Sequence, residues 1–415
     1  MGGMHDTNLY ASILGVVEPW RVTEVSPELE AGEIVVHVEA RSSKKFSCPE
    51  CGKKSPRHDH RVRRWRHLPT CQYRTILEVA VPRVHCEEHG VHQVAVPWAE
   101  ENSAFTALYE ALVLSWLLEA PISAVAELME LTWDQVDGIM QRAVRRGLAR
   151  REPVQLRFIG VDETSFQKRH EYVTIVSNLD KSTVLYVADG HKKASLEGFF
   201  DELEPQELVS IEAVAMDMWK PFITVVEENL WQAEKKICFD KFHVAMHLGD
   251  AVDKVRRSVN RALLELEDRS LVGSKYTWLQ NPERMSARST QALDQLKKRV
   301  LETARAWAIK KHAMCLWHYK SRTWARKAWE DWISWALRSR LEPVQKVGRM
   351  IRDHLEGIIN GIVMRATNAG SESINAKVQR IKRMACGFRN RERFKNAIYF
   401  HAGVLNMSPV THTRS

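Results

Sequence analysis

The sequence predicts a multidomain α+β chain: a small β-rich module, a helical domain, then an α/β core interrupted by an all-helical insertion. Three observations predict it. At 415 residues the chain is too long for one ordinary domain, and its 44% hydrophobic content can fill several cores. The period of the hydrophobic pattern changes along the chain. It alternates before residue 100, takes helical spacing after it, and turns into strands and helices in succession from Leu156. Finally, seven of the 14 Trp lie between Trp278 and Trp335, in a stretch that reads as nearly all helix.

Charge and cysteine usage narrow the class. The net charge is +9, and the excess is clustered with aromatics in RVRRWRHLP and RIKRMACGFRNRERF, which suggests a nucleic-acid partner, with a solvated basic face as the alternative that charge alone does not separate from it. No run of 18 apolar residues is present, so no membrane span is expected. The N-terminus lacks the layout of a signal peptide, and Asp6 stands where myristoylation needs Ser or Thr. Seven Cys, an odd number, argue against a disulfide scaffold and make a reducing cytoplasm the default.

The first module spans residues 10–100, with alternating stretches such as GEIVVHVEA and RTILEVAVPRVHC. CPEC supplies Cys48 and Cys51, HCEEH supplies Cys86 and His89, and 34 residues separate the pairs. A two-residue gap lets both side chains of a tight turn reach one ion, and Gly52 and Gly90 follow where such turns need backbone freedom. This predicts one structural Zn2+ with four protein ligands and no open position. His85, His92 or Cys71 stand as alternatives for one ligand, and scattered surface Cys and His that bind nothing as the plainer reading. In the same module Arg61, Arg63, Arg64 and Arg66 form a basic run.

Residues 101–152 read as three helices joined by tight turns. Pro121 suits a helix start, and Thr132 with Gln135 has the spacing of a capping box. The last helix ends in Arg142, Arg145 and Arg146, which fits a helix-turn-helix unit that binds DNA, although a small helical bundle gives the same pattern. In residues 153–250, LRFIGVDET, EYVTIVSNL and STVLYVADG read as three consecutive strands, followed by a helix over 192–203. ELVSIEAVAMD then reads as a strand, a helix opens at Pro221, and EKKICFD is a fifth strand. That is the element order of a ribonuclease-H-like sheet. Residues 251–350 form the helical insertion, with a small core of its own; Trp324, Ala328, Trp332 and Trp335 share one helical face with Trp329 beside it, a stripe read as core. Residues 351–405 complete the core and hold Glu372 and a basic block. Lys377, Arg380, Lys382, Arg383, Arg389 and Arg391 are read there as phosphate contacts, against the alternative of a solvated basic helix.

Two strands end in Asp162 and Asp217. If these strands are parallel and adjacent, both carboxylates face one crevice, where their repulsion calls for a cation between them. Magnesium suits such oxygen ligands. Strand-end caps are the competing reading, and Asp240 ends its strand in the same way. Glu163 is expected on the opposite face of its strand, and Asp189 before Gly190 is ordinary turn chemistry.

VDET, AMDMWKPF, FDKFHV and TNAGSESINAKVQRIKRMACGFRNRERF together resemble the landmarks of DDE insertion-sequence transposases of the ISL-three group, and the resemblance runs from Cys48 to about His401. It implies a zinc-binding N-terminal region, a helix-turn-helix and a ribonuclease-H-like catalytic core split by a helical insertion. It further implies that Asp162, Asp217 and Glu372 are the catalytic triad, holding two Mg2+ or Mn2+ ions. Glu372 is the one carboxylate between Thr367 and Arg391. Asp240 and His243 match family positions as site-supporting residues. Two positions depart from the pattern: Arg391 where an aromatic often follows the Arg-Asn pair, and His89 where a fourth Cys is common. The implied activity is metal-dependent DNA cleavage and strand transfer, with terminal inverted repeats and target DNA as partners. A homodimer or higher oligomer would assemble on DNA, in the cytoplasm and nucleoid of a bacterium. A non-enzymatic zinc and helix-turn-helix regulator, and a ribonuclease-H-like nuclease or resolvase, are the alternatives.

Overall fold

The computed structural model describes residues 6–41, 45–167, 171–280, 285–365 and 369–409; of Gln167 and residues 369–372 it describes the backbone alone. The chain divides into two compact units, Met1–Arg151 with Leu405–Ser415, and Glu152–Val404.

In the first unit α1 (Asp6–Leu14) precedes β1 (Trp20–Glu28), β2 (Glu33–Ala40), β3 (Phe46–Ser47), β4 (Lys54–Ser55), β5 (Arg57–Thr70), β6 (Tyr73–Cys86) and β7 (Gly90–Gln93). The main sheet has the order β1-β2-β6-β5, with β7 paired to β6. β5 and β6 form a long hairpin whose two turn residues, Cys71 and Gln72, both have positive φ, the backbone that matches strand twist in a tight hairpin. Strict alternation on β6 buries Thr75, Leu77, Val79 and Val81. Leu77, Val79 and Val81 pack with Val36, Val38, Trp65 and Trp98 into one core.

Helices α2 (Ala107–Glu119), α3 (Ile122–Leu128) and α4 (Trp133–Ala149) follow. The predicted capping box at α4 is present, with Thr132 and Gln135 exchanging hydrogen bonds of 2.8 and 3.2 Å. Thr106 caps α2 and its hydroxyl also meets Nδ1 of the buried His67 at 2.8 Å. The last described residues close on this domain. Nε and Nη2 of Arg146 donate to the Met407 carbonyl at 3.1 and 2.8 Å, and Arg150 donates to Ser408 at 2.7 Å. Gly147 permits the approach, since a Cβ there would lie 2.6 Å from Cβ of Leu405.

The second unit opens on the antiparallel meander β8 (Phe158–Gln167), β9 (Glu171–Asn178) and β10 (Thr183–Asp189). Then come α5 (Lys193–Asp201), α6 (Pro205–Ser210), β11 (Ala213–Met216), α7 (Lys220–Asn229), α8 (Ala233–Lys236) and β12 (Ile237–Phe239). The sheet order is β10-β9-β8-β11-β12, with β8, β11 and β12 parallel. ELVS, expected as the start of a strand, is helical. Pro205 opens that turn and the Glu204 amide donates to Glu207 at 3.0 Å, so local capping overrides the β-like Leu-Val pair.

Nine further helices follow among the described residues: α9 (Lys241–Glu265), α10 (Lys275–Leu279), α11 (Ala287–Arg299), α12 (Leu301–Cys315), α13 (Arg322–Leu337), α14 (Glu342–Asp353), α15 (Leu355–Met364), α16 (Ala369–Met384) and α17 (Arg391–Ala402). The helical segment does not have a separate core. Trp278, Trp329 and Trp332 belong to the same buried cluster as Ile159, Val161, Val214 and Met216 of the sheet. α9 carries that core outward through Val244, Leu248, Val252 and Val255. The Trp stripe is rotated by one residue from the expected one: α13 buries Ala325, Trp329, Trp332 and Ala336, whereas Trp324 is 62% exposed and Trp335 38%. Small residues are wanted inward because α14 approaches closely, with Gly348 directly over Cβ of Ala336.

The opposite sheet face is covered by α16 and α17. Ile374, Val378, Phe394 and Ile398 pack there on Val173, Ile175, Val184 and Val187. The free edge of β12 is closed by α15 through a feature the sequence reading passed over. Asn360, fully buried, donates to the carbonyls of Glu234 and Ile237 at 2.9 and 2.8 Å. Gly357 and Gly361 lie against Phe239. Among the described residues no helix is long and apolar enough to cross a membrane.

Two stability predictions follow from this packing. Gly361→Ala puts a methyl 2.5 Å from the Phe239 carbonyl oxygen. It should cost about 1–3 kcal/mol in denaturant unfolding of the core, and an unchanged midpoint would contradict the packing. His67 is buried, and burial pulls its imidazolium from the ordinary 6.5 down to about 4. The unfolded chain then takes up a proton that the folded one refuses. Stability is therefore complete above pH 6.5 and is lost as the pH falls towards 4, by about 2 kcal/mol between pH 7 and 5. Urea titrations at both pH values should show this loss, and His67→Gln should remove it.

Candidate functional site

Strand register builds the site in the second unit. On β8, Ile159 and Val161 face one core, so Gly160, Asp162 and Thr164 face the other. β11 runs parallel with Ala215 opposite Gly160, which brings Asp217, two residues on, level with Asp162 on the same face. β12 pairs Phe239 with Met216, so Asp240 ends its strand in the same row, where it becomes the N-cap of α9. The two predicted carboxylates therefore stand on neighbouring parallel strands, but only Asp217 follows the end of its strand; Asp162, expected at a strand end, lies mid-strand just past the stretch paired with β11, because β8 continues to Gln167 against β9.

Each is fixed by donors. Asp162 accepts from the Glu163 amide at 2.7 Å through Oδ1 and from Nδ2 of Asn375 at 2.5 Å through Oδ2. Asp217 accepts from the Met218 amide at 2.6 Å. His243, in the first turn of α9, brings Nδ1 to 3.5 Å from Oδ1 of Asp217. Burial is the main force raising the Asp162 carboxyl; the Asn375 bond and the nearby His243 oppose it and Asp217 adds to it. Glu163, next to Asp162 on β8, shares this electrostatic environment. Burial, then the charges of Asp217 and Asp162, push it up to about 7. Such a group of carboxylates is short of positive charge, and hard oxygen ligands of this kind fit a divalent cation such as Mg2+.

Glu372 stands in the first turns of α16, three residues before Asn375 on the same helical face; its side chain lies outside the described residues. The basic residues of the C-terminal block divide into two groups. Lys382 donates to Thr164 Oγ1 at 2.9 Å and to the Ser165 carbonyl. Arg391 pairs with Glu171 at 3.3 Å and Asp189 at 3.6 Å. Arg380, Arg383 and Arg389 are exposed, and Lys377 is half-buried.

The first unit shows the same division. Arg61 and Arg145 are exposed. Arg64 pairs with Glu33 and Glu78. Arg63 donates to the Ser103 carbonyl at 3.2 Å and lies over the Trp65 ring, and Arg66 donates to the Glu130 carbonyl at 3.0 Å and lies over Tyr109. Arg142 is paired with the buried Glu110, and Arg146 with Glu100 and the Met407 carbonyl. These partners come from segments distant in the chain, so no local sequence pattern marks them.

A second centre lies in the first unit. Cys48 and Cys51 lie in the turn between β3 and β4; Cys86 ends β6 and His89 lies in the turn from β6 to β7. Gly52 and Gly90 both have positive φ, as those turns require. One ligand atom from each of the four residues lies within 4.8 Å of all the others. Sγ of Cys86 is 3.7 Å from Sγ of Cys51 and 3.6 Å from Nδ1 of His89. The His89 ring is the largest influence holding the Cys86 thiol down to about 6. Three sulfurs and an imidazole at this spacing fit a tetrahedral Zn2+. Of the candidates for the fourth position, it is His89 that joins the cysteines.

The sequence matches three family models. One, described as a transposase, covers residues 159–398. A second, the zinc-finger of transposase IS204/IS1001/IS1096/IS1165, covers residues 44–89, and the helix-turn-helix domain of transposase family ISL3 covers residues 94–144. Among curated proteins, the transposase for insertion sequence element IS1557 of Mycobacterium tuberculosis is 30% identical, over 93% of both chains. The transposase for insertion sequence element IS1001 of Bordetella parapertussis is 27% identical, over 85% of this chain and 88% of its own.

Purified protein should carry about one equivalent of zinc, held by side chains that fold around it. The Cys48→Ala/Cys51→Ala variant should lose that zinc and lower the unfolding temperature of the first unit. Elemental analysis finding less than about half an equivalent in the unmutated protein would refute the assignment.

Proposed function

The chain belongs to the ISL3 family of transposases, and on that footing we propose that it binds the terminal inverted repeats of an insertion sequence, cuts them and joins them to target DNA. The core is read as ribonuclease-H-like, with Asp162, Asp217 and Glu372 as a DDE triad that holds two Mg2+ or Mn2+ ions. The observation that carries this reading is the parallel register of β8 and β11, which sets Asp162 beside Asp217, together with the bond from α16 to Asp162. α16 is the helix on which Glu372 stands one turn away.

Asp162, Asp217 and Glu372 would hold the ions, which when bound would supply activation of the attacking oxygen, a water or a 3′-hydroxyl, and positive charge for the developing oxyanions. The protein's own part is placement. Asp162 and Asp217 are held by backbone amides and by Asn375, so their oxygens keep fixed directions. His243 stands beside Asp217 and limits its movement; Asp240 supports the end of β12. No side-chain nucleophile is required by this chemistry.

DNA phosphates are held by the cations that the fold leaves exposed: Arg61 and Arg145 in the first unit, and Arg380, Arg383 and Arg389 in the second. Lys377 and Arg64 assist. Arg63, Arg66, Arg142, Arg146, Lys382 and Arg391 are engaged by protein partners, and their contribution is to shape the surfaces that carry the others. Recognition of the repeats falls to the zinc module (10–100) and the helix-turn-helix domain (101–152). Catalysis falls to the two core segments (153–250 and 351–405), with the helical segment 251–350 as the insertion between them. Two ends must be cut together, so the working form on DNA is a homodimer or larger assembly, acting on DNA in the cytoplasm.

Asp162→Ala, Asp217→Ala and Glu372→Ala should each lower metal-dependent cleavage and strand transfer at least about a hundredfold. Gel-shift affinity for element ends should stay within about twofold of the unmutated protein, because these residues make no phosphate contact of their own. Cleavage retained in the Glu372→Ala variant would show that the third ligand is misassigned.

A further inference from the structure

We propose that Asn375 is a positioning residue for the metal site: it fixes the rotation of the Asp162 carboxylate and thereby sets the affinity of the site for divalent cations. The inference rests on the reading of Asp162 as a metal ligand and adds a residue that the DDE triad does not contain.

Two independent contacts settle where Asn375 points. α16 is rotated by its apolar stripe, in which Ile374, Val378 and Ile381 are buried at i, i+4 and i+7. Asn375 and Lys382 are seven residues apart, two helical turns, on the edge of that stripe facing β8. Lys382 reaches Thr164 Oγ1 at 2.9 Å, and Asn375 reaches Asp162 Oδ2 at 2.5 Å. Thr164 and Asp162 are two residues apart on one face of the strand. The helix therefore lies along β8 with one anchor at each of these residues. Because the stripe and Lys382 already hold the helix, the bond from Asn375 to Asp162 is not needed for docking.

The chemistry of the side chain agrees with its place. A carboxylate accepts only, so the contact must be made by the amide NH2 of Asn375. With Oδ1 held by the Glu163 amide and Oδ2 by Asn375, the carboxylate plane is pinned at both oxygens. Each oxygen keeps a further lone pair for a cation. A neutral donor is suited to this task. Lys or Arg at the same place would neutralise Asp162 and compete with the cation, and Asp or Glu would add repulsion to a site that already has two neighbouring carboxylates.

The test is Mn2+ binding by full-length protein, followed by isothermal titration calorimetry, with thermal unfolding of each variant as a control. Asn375→Ala should weaken Mn2+ binding about tenfold or more, in the range seen when residues that orient metal ligands are removed. The near-isosteric Asn375→Leu keeps the volume, loses the donor and adds no charge, so it should weaken binding by a similar factor. Asn375→Leu also decides the matter if the alanine variant fails to fold. Binding by Asn375→Leu as tight as, or tighter than, the unmutated protein would overturn the proposal. Asp162→Ala separates the two levels of inference. If it leaves Mn2+ binding unchanged, the reading of Asp162 as a ligand fails. If it abolishes binding while Asn375→Ala and Asn375→Leu do not alter it, only the role of Asn375 fails.

Discussion

The parallel pairing of β8 with β11 is the constraint on which the second unit depends. With Ala215 opposite Gly160, the apolar residues of both strands fall on one face and Asp162 and Asp217 on the other. A shift of one residue in either strand would send one aspartate into the hydrophobic core and its apolar neighbours out of it. Burial therefore enforces the geometry of the carboxylates at no separate cost. The two faces are then covered by different parts of the chain: α5, α7 and the helical segment on the apolar side, α16 and α17 on the side of the carboxylates. The helix that carries Glu372, α16, lies over that second face.

Much of this was legible in the sequence because it is written in local signals. The apolar runs that lead into Asp162 and Asp217, the Thr132 capping box and two ligand pairs with adjoining glycines each depend on residues a few positions apart; that β8 runs on past Asp162 to Gln167 depends on its pairing with β9. What escaped depends on distance. Arg142 and Arg146 read as surface cations, but Glu110 and the Met407 carbonyl, 261 residues from Arg146, engage them. The one-residue rotation of the Trp stripe was hidden because Trp dominates any hydrophobic count, while helix contact is decided by the small residues Ala325, Ala336 and Gly348. Glu163 was set aside by alternation, but alternation says nothing of charge, and both Asp217 and Asp162 act on it. Asn375 had a weak signal, its place one turn from Glu372, and that signal means something only once Asp162 is known to lie opposite.

The first unit follows a different logic. Its hairpin of β5 and β6 supplies both a core strand and one half of the zinc centre, so folding and metal binding are joined at Cys86. His67 and Arg66 on β5 connect the same hairpin to the start of the helical domain, through Thr106 and the Glu130 carbonyl. The Leu405–Pro409 segment then packs on α4. The basic run that first suggested nucleic acid is thus partly architectural, through Arg63 and Arg66, while Arg61 and Arg64, like Arg145 of α4, are exposed.

The central claim is that carboxylates from three separate segments hold the same ions. Iron-mediated backbone cleavage tests it most directly. Fe2+ substituted into the site generates hydroxyl radicals on addition of ascorbate and peroxide, and these cut the polypeptide beside the bound ion. The account predicts metal-dependent cuts near Asp162, Asp217 and Glu372 together, all suppressed by excess Mg2+. Cuts confined to the first two segments, with none near Glu372, would contradict it.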